Sequence, residues 1–469
     1  MKYFKLIYLS TFCCLISILS FFNIIYSYYL NLYLNLNTYI WTFFISLIFA
    51  SLFYFSRDKI EKKITIYEKI ITVIFGYFFL PLIICIPFYF SIYNLTFINS
   101  YFEAISGFTS TGFTIFDNIK HLDQSLIIWR SSSQWIGGLF FLFFLIIIFS
   151  NKSFNFKMTN LTYAGDNNFN SENNIKDNLL RIFIIYSVLS IIILSLLNLS
   201  GIRLFNSLNM SMTLVSGGGF LPTDSLSKII STNLQKTIFI FSLIISMLNF
   251  YLLFNLFNRN ILIKEHKEDL YLIFLSSIFC LLIYFNNYDG LDIILSVISS
   301  LSNSGLTLMK SDNNLSLYFL LITIVGGSLI SNSSGIKLTR FYILLKITSL
   351  EIIKLVSPNS IINKTIFNTD KKISEDNIKI SFLIFISFFL SLFILSSLLV
   401  VDNIGFEKSF KLSILTLTNT VNSEIFNMQN LNFSNLLTSS KISLILFMII
   451  GKIELISIFL IFKKILFKD

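Results

Sequence analysis

The stretch FEAISGFTSTGFTIF, Phe102–Phe116, runs a short apolar helix pattern into Thr, Ser and Gly before the chain turns polar. The helix is too short to cross a bilayer, which takes about 20 residues. A segment that enters a membrane, breaks at small polar residues and returns by the same face leaves backbone carbonyls unpaired. Hydrocarbon forbids that unless the carbonyls line an aqueous path, and cations accept such carbonyls as substitute hydration. An ordinary loop capped by Ser, Thr and Gly explains this one stretch equally well, so the decision rests on whether it recurs.

It recurs three times. FNSLNMSMTLVSGGGF (Phe205–Phe220), LDIILSVISSLSNSGL (Leu291–Leu306) and FKLSILTLTNTVNSEI (Phe410–Ile425) each place apolar residues at helical spacing before a cluster of Ser, Thr, Asn or Gly. A spanning pattern comes after each one, which makes an internal repeat of helix, half-helix, return and helix. Within the half-helices the apolar residues are packing. The function lies in the return segments.

The rest of the chain reads as a polytopic membrane protein. Its 469 residues are 55% hydrophobic and only 13% charged, with a mean hydropathy of +0.77. Apolar runs of spanning length lie near 4–30, 37–56, 69–91, 126–150, 179–200, 235–257, 270–286, 315–345, 379–401 and 441–463. The expected fold is therefore all-α, with ten transmembrane helices: two N-terminal helices in 1–68 and four pore repeats in 69–150, 151–268, 269–365 and 366–469. A cytoplasmic Met1 places most of the 35 Lys and Arg residues inside, as the positive-inside rule expects, and both termini are then cytoplasmic. The net charge of +10 is assigned to these loops and not to nucleic acid, because no basic face is interleaved with stacking aromatics. Cys13, Cys14, Cys85 and Cys280 lie in apolar segments without metal-ligand spacing and read as small buried hydrophobes. The apolar run after Met1 continues to about Leu30 without a small-residue cleavage site, so it is read as a retained helix.

Four return segments can surround one axis. Gly112, Gly219 and Gly305 can take φ > 0 without a Cβ clash, which lets consecutive carbonyls face that axis. Ser110, Thr111, Ser216, Ser302, Ser304, Thr418 and Thr420 add hydroxyls that line the path or tie the segments to their surroundings. The half-helices aim their carbonyl-rich ends inward. An oxygen-rich surface without carboxylates suits a large monovalent cation better than Mg²⁺ or Ca²⁺.

These features resemble the Trk/Ktr/HKT superfamily of potassium transporters over nearly the whole chain, and the two leading helices resemble the bacterial Trk membrane subunit in particular. The specific pieces are FEAISGFTSTGF, WRSSSQWIGGLFF (Trp129–Phe141), LNFYLLF (Leu248–Phe254), SSGIKLTRF (Ser333–Phe341) and GKIELISIF (Gly451–Phe459). The resemblance implies a filter built of Thr109, Ser110, Thr111 and Gly112; Val215, Ser216, Gly217, Gly218 and Gly219; Ser302, Asn303, Ser304 and Gly305; and Thr418, Asn419, Thr420 and Val421. The fourth segment departs from the family, because β-branched Val421 holds the glycine position and resists φ > 0. Either that strand turns differently or the alignment shifts by one residue, and K⁺ over Na⁺ stays open.

The span at 315–345 is interrupted by GGSLISNSSG, Gly326–Gly335, which on its own reads as a kink satisfied by neighbours or as backbone beside water. The resemblance places a gate loop there, on Ser331, Asn332, Ser333, Ser334 and Gly335. It also places a basic residue beneath the filter, where Lys452 stands as an electrostatic barrier. Lys337 and Arg340 read as interface anchors, Glu103 as an acid at the start of its pore helix, and Asn249 as a helix–helix hydrogen bond. His121 and His266 fall in loops on opposite sides, so they form no metal pair.

The expected function is a potassium uptake permease in the cell (inner) membrane, with K⁺ as substrate and no cofactor in the chain. A Na⁺-permeable or Na⁺/H⁺-coupled symporter is the alternative. A membrane-embedded lipid-modifying enzyme lacks the clustered Asp, Glu or His that it would need. No phosphate-binding glycine loop is present, so the chain is not expected to bind nucleotide itself. The resemblance implies a homodimer and a cytosolic nucleotide-binding regulatory subunit. The basic loops at 57–69, 152–181 and 337–379 can meet that subunit or anionic lipid.

Overall fold

The computed structural model describes residues 6–56, 66–149, 175–257, 267–285, 288–309, 313–357, 365–367, 373–428 and 431–453. Every regular element among them is helical. Helices α1 (Leu6–Tyr29) and α2 (Leu36–Phe55) lie along each other. Next come α3 (Ile66–Ile84), the short α4 (Ile86–Tyr89), α5 (Phe97–Phe108) and α6 (Gln124–Phe149). The leading pair is held against this first stretch, α1 on α3 and α6 and α2 on α3 and α4. The second stretch holds α7 (Ile175–Leu199), α8 (Leu204–Val215), α9 (Asn233–Met247) and α10 (Phe250–Phe257). The third holds α11 (Lys267–Tyr284), α12 (Gly290–Leu301), α13 (Asn313–Val325) and α14 (Leu338–Val356). The last holds α15 (Glu375–Val401), α16 (Phe406–Leu417) and α17 (Thr438–Ile453).

Among the described residues, five helices are long and apolar enough to cross a membrane: Ile7–Tyr29, Tyr33–Phe55, Tyr67–Tyr89, Leu179–Leu199 and Glu375–Val401. The other expected spans also fall on helices, but several are not single apolar rods. The run at 235–257 breaks at Leu248–Asn249, and the run at 315–345 is open from 326 to 337 before α14 carries on to Val356. Helix α11 begins with the charged triplet Lys267, Glu268 and Asp269. The last span is described only to Ile453, so Glu454 lies outside the described residues, as do His266 and most of the basic loops at 57–69 and 152–181. The stretch expected as a basic loop at 337–379 is instead mostly helix, Leu338–Val356 of α14 and the start of α15.

The distribution of side chains is that of a protein in lipid. Phe55, Leu199 and Phe285 are each more than four-fifths exposed, whereas Ser100, Ser106, Asn209, Thr213, Ser299 and Thr416 are fully buried. In water the reverse is expected. Cys13 and Cys85 are buried as expected, but Cys14 faces outward from α1, because its neighbour takes the inward position of that turn.

The four twelve-residue helices α5, α8, α12 and α16 occupy equivalent places. Helix α8 packs against α7 before it, α9 after it, and α6 from the previous stretch; α12 packs in the same way on α11, α13 and α9. Helix α16 packs on α15, α17 and α13. Helix α5 closes the circuit by packing on α3, α6 and α17, the last of the described helices. Chain order is therefore also the order around an axis.

Candidate functional site

Each short helix ends in the same local structure. The residue after its C-cap is left-handed: Ser110 (φ 59), Gly217 (φ 65), Asn303 (φ 60) and Asn419 (φ 50). The next amide in each segment bonds back five residues, Thr111 to Ser106 O, Gly218 to Thr213 O, Ser304 to Ser299 O and Thr420 to Leu415 O, at 2.9–3.1 Å. This is the Schellman ending, which favours Gly or Asn at the left-handed position. Sequence reasoning put the left-handed turn two residues later, on the glycines. Gly112 (φ 87) and Gly305 (φ 70) are indeed left-handed, but Gly219 is not, which corrects the expectation for that residue.

The four return segments meet in a ring. A Cβ built on Gly112 would lie 2.9 Å from Gly219 Cα, and one built on Gly219 would lie 2.9 Å from Ser304 O. One built on Gly305 would come within 2.9 Å of Val421 O. Asn303 donates through Nδ2 to Thr420 Oγ1 at 3.3 Å, and Asn419 through Nδ2 to Thr111 Oγ1 at 2.9 Å, which joins the fourth segment to the first. Val421 comes two positions after its left-handed residue, just as Gly112, Gly219 and Gly305 do after theirs. The register does not slip; the strand turns without a positive φ at Val421. Its side chain instead reaches the opposite segment, since a Cβ on Gly219 would stand 2.5 Å from Val421 Cβ.

All but one of the expected hydroxyls fasten the segments from behind; Ser110 Oγ is buried without a hydrogen-bond partner among the described residues. Thr109 Oγ1 donates to Ile105 O (2.8 Å) and Thr418 Oγ1 to Ile414 O (2.9 Å), and each pairs with the threonine two residues on, Thr111 or Thr420. Ser216 Oγ donates to Thr213 O, Ser302 Oγ to Ser299 O, and Ser304 Oγ shares a bond with Ser299 Oγ. Of the two roles open to these groups, lining the path or tying the segments down, the geometry favours the second. The helices after the segments pack closely on them. A Cβ on Gly137 of α6 would meet Phe108 O at 1.9 Å, and one on Gly451 of α17 would meet Leu417 O at 2.4 Å. The glycines of WRSSSQWIGGLFF and GKIELISIF thus admit the last carbonyl of α5 and of α16.

Glu103 is not an N-terminal acid. It lies midway along α5, fully buried, and its carboxylate accepts from Arg130 Nε (2.8 Å), Ile115 N (2.9 Å) and Thr114 Oγ1 (3.1 Å). The Arg130 guanidinium also lies 4.2 Å from the Phe220 ring centroid. One ion pair therefore braces the outgoing limbs of the first two segments. Gln134 Oε1 accepts from Phe220 N at 3.3 Å beside it. Arg130 and Gln134 were not singled out in sequence, although an Arg and a Glu inside apolar helices are themselves a signal.

The interruption 326–337 folds back against the ring, Asn332 meeting Val215 O and Ser334 meeting Asn419. Gly326 and Gly335 are left-handed, and Ile336 N and Lys337 N return to Ile324 O and Val325 O at 3.0 Å. Two broken helices satisfy each other here: Ser328 N donates to Met247 O (3.0 Å) and Phe250 N to Ile330 O (2.7 Å). Asn249 is not a helix–helix bond. Its amide N–H goes to Asp269 Oδ1 (2.9 Å) and its Oδ1 caps α10 through Tyr251 N (3.0 Å). Glu268, also unforeseen, accepts from Leu329 N (2.9 Å) and Thr339 Oγ1. A pair of acids opening an apolar helix was the available signal.

The expected residues of the interruption are all buried or nearly so. Ser331 and Ser333 share a 2.7 Å hydroxyl bond, and Ser333 Oγ accepts from Gly327 N. Lys337 is no interface anchor: it is buried, and its ammonium donates to the carbonyls of Ser331 and Ser333, because the loop's turn leaves those oxygens facing inward. Arg340 is likewise fully buried. Lys452 reaches from α17 to Asn332 O (2.9 Å) and over the Phe141 ring at 4.7 Å. Among the described residues no cluster of His, Cys, Asp and Glu could hold a metal ion.

Comparison with known proteins bears on the family and the fold. The chain is 24% identical over 468 aligned residues to an uncharacterized cation transporter of Methanocaldococcus jannaschii, covering 93% of this chain and 91% of the relative. It is 28% identical over 403 residues to the Trk system potassium uptake protein TrkG of Escherichia coli, covering 79% of each. The crystal structure of the potassium transporter TrkH from Vibrio parahaemolyticus superposes with a TM-score of 0.85 over 97% of both chains at 18% identity, which establishes the fold. The model of the TrkH family, described as a cation transport protein, matches residues 36–288, more than half of the sequence. A polytopic, all-helical chain with these relatives belongs to the TrkH family of cation transport proteins.

Proposed function

We propose that the chain is a potassium uptake permease whose ten membrane crossings form two N-terminal helices and four pore repeats around one axis. The closed ring of four short helices, each ending in a left-handed residue, carries this reading. Helix C-termini converging on an axis present carbonyl oxygen and the negative pole of the dipole to a cation. The filter comprises Thr109–Gly112, Val215–Gly219, Ser302–Gly305 and Thr418–Val421. Ser331, Asn332, Ser333, Ser334 and Gly335 form a gate loop, and Lys452 secures it and raises a positive barrier below the filter. Relatives named as potassium uptake proteins support K⁺ as the substrate. The chain acts as a homodimer in the cell (inner) membrane with both termini cytoplasmic, under a nucleotide-binding regulatory subunit.

Reconstitution into proteoliposomes tests this reading. Rubidium or potassium is expected to enter under an inside-negative potential, and failure to do so under any gating condition would refute the proposal. One observation favours a second reading: Val421 breaks the equivalence of the four segments, which suits a filter that also passes Na⁺. A K⁺ flux that Na⁺ drives or replaces would select that alternative.

A further inference from the structure

The interruption touches the return segments at two points that neither the filter nor the barrier explains. Asn332 donates through Nδ2 to Val215 O, the last carbonyl of α8, at 2.7 Å. Ser334 donates through Oγ to Asn419 Oδ1 at 3.1 Å. Asn419 in turn gives Nδ2 to Thr111 Oγ1 (2.9 Å) and to Met448 O of α17 (3.0 Å). One buried amide thus joins the interruption, the fourth segment, the first segment and α17.

The equivalent residue one segment earlier isolates what Ser334 adds. Asn303 makes the same two donated bonds, to Thr323 O of α13 (2.9 Å) and to Thr420 Oγ1 (3.3 Å), yet its Oδ1 has no hydrogen-bond partner. Both asparagines hold adjacent segments together, but only Asn419 is held by the interruption. Its oxygen fixes the rotation of the amide, and the amide fixes the spacing between Thr111 of the first segment and the backbone of Asn419 in the fourth.

We infer that Asn419 is a positioning residue through which the interruption sets the geometry of the ring, so that withdrawal of Ser334 loosens the joint between the fourth and first segments. Gate position and ion preference are then one variable. The inference rests on the permease reading above. Buried hydrogen bonds that share a side chain reinforce one another, so removing one changes its partners.

The test is the K⁺/Na⁺ permeability ratio, from reversal potentials of the full chain in planar bilayers. Ser334→Ala is expected to shift the ratio by roughly twofold to tenfold, the span of one hydrogen bond, and Ser334→Thr, which keeps the hydroxyl, to restore it. A change in current with the ratio unaltered would overturn the inference, because the gate would then move without the filter. Should the unsubstituted protein pass no cation, the permease reading falls instead. The coupling is then judged by whether K⁺ protects against thermal unfolding better than Na⁺ and whether Ser334→Ala narrows that difference; an unchanged difference overturns it.

Discussion

Neutralising Glu103 tests the brace behind the ring most directly. In Glu103→Gln the side chain keeps its length, but one carboxylate oxygen becomes an NH₂ that confronts Arg130 Nε, Thr114 Oγ1 or the amide of Ile115. Glu103 and Arg130 are both at most 1% exposed, so water cannot replace the lost charge, and Arg130 Nη1 already lacks a hydrogen-bond partner. Removing one member of a buried ion pair costs about 3–5 kcal/mol, which at about 1.4 kcal/mol per tenfold corresponds to roughly two to three and a half powers of ten in the population holding the native limb. Thermal unfolding in detergent and cation flux in liposomes should both fall. The double variant Glu103→Leu with Arg130→Met should be milder than either single change, because it leaves no uncompensated charge. A Glu103→Gln protein that melts and transports like the original, or a double variant as damaging as the sum of the two, would refute the argument.

The ring and the interruption lead to three further outcomes. Val421→Gly removes the side chain that faces Gly219 and should raise cation flux severalfold in the same liposomes. Gly219→Ala should abolish flux, since its Cβ would stand 2.5 Å from Val421 Cβ and 2.9 Å from Ser304 O; adding Val421→Gly should recover only part, because the carbonyl remains. Lys452→Gln weakens the hold on Asn332 O and removes the positive charge, so basal flux should increase, measured without any regulatory subunit.

Much of the architecture was readable because the pattern repeats. One segment such as Phe102–Phe116 cannot be told from a capped loop, but four with the same helical phase and the same polar ending can. The common spacing that sets Val421 level with Gly112, Gly219 and Gly305 was legible for the same reason. What escaped was the division of labour within each segment. Asn303 and Asn419 carry the left-handed turn, and an Asn in a polar cluster does not reveal that its backbone is a helix ending. Buried ion networks escaped for a related reason. Glu103 and Arg130 are far apart in sequence and meet only after α5 folds against α6, and Lys337 looked like an anchor because its partners lie on a loop whose turn is set by Gly326 and Gly335. Periodicity reports which face a residue occupies, not which distant group it will meet there.

On the gate reading proposed above, the mutual pairing of the two broken helices bears on how the path would open. Met247 O and Ser328 N satisfy each other across the break, as do Ile330 O and Phe250 N. If the loop swings aside, four backbone dipoles lose these partners in a region closed to bulk solvent, and each must be met by something else. Water is the group small enough to enter, so the open form is a more hydrated protein than the closed one. Its population should fall when solutes too large for the path lower the water activity. On that reading the break works as a valve set by hydration, and its sensitivity to osmotic pressure follows from how many waters replace those bonds.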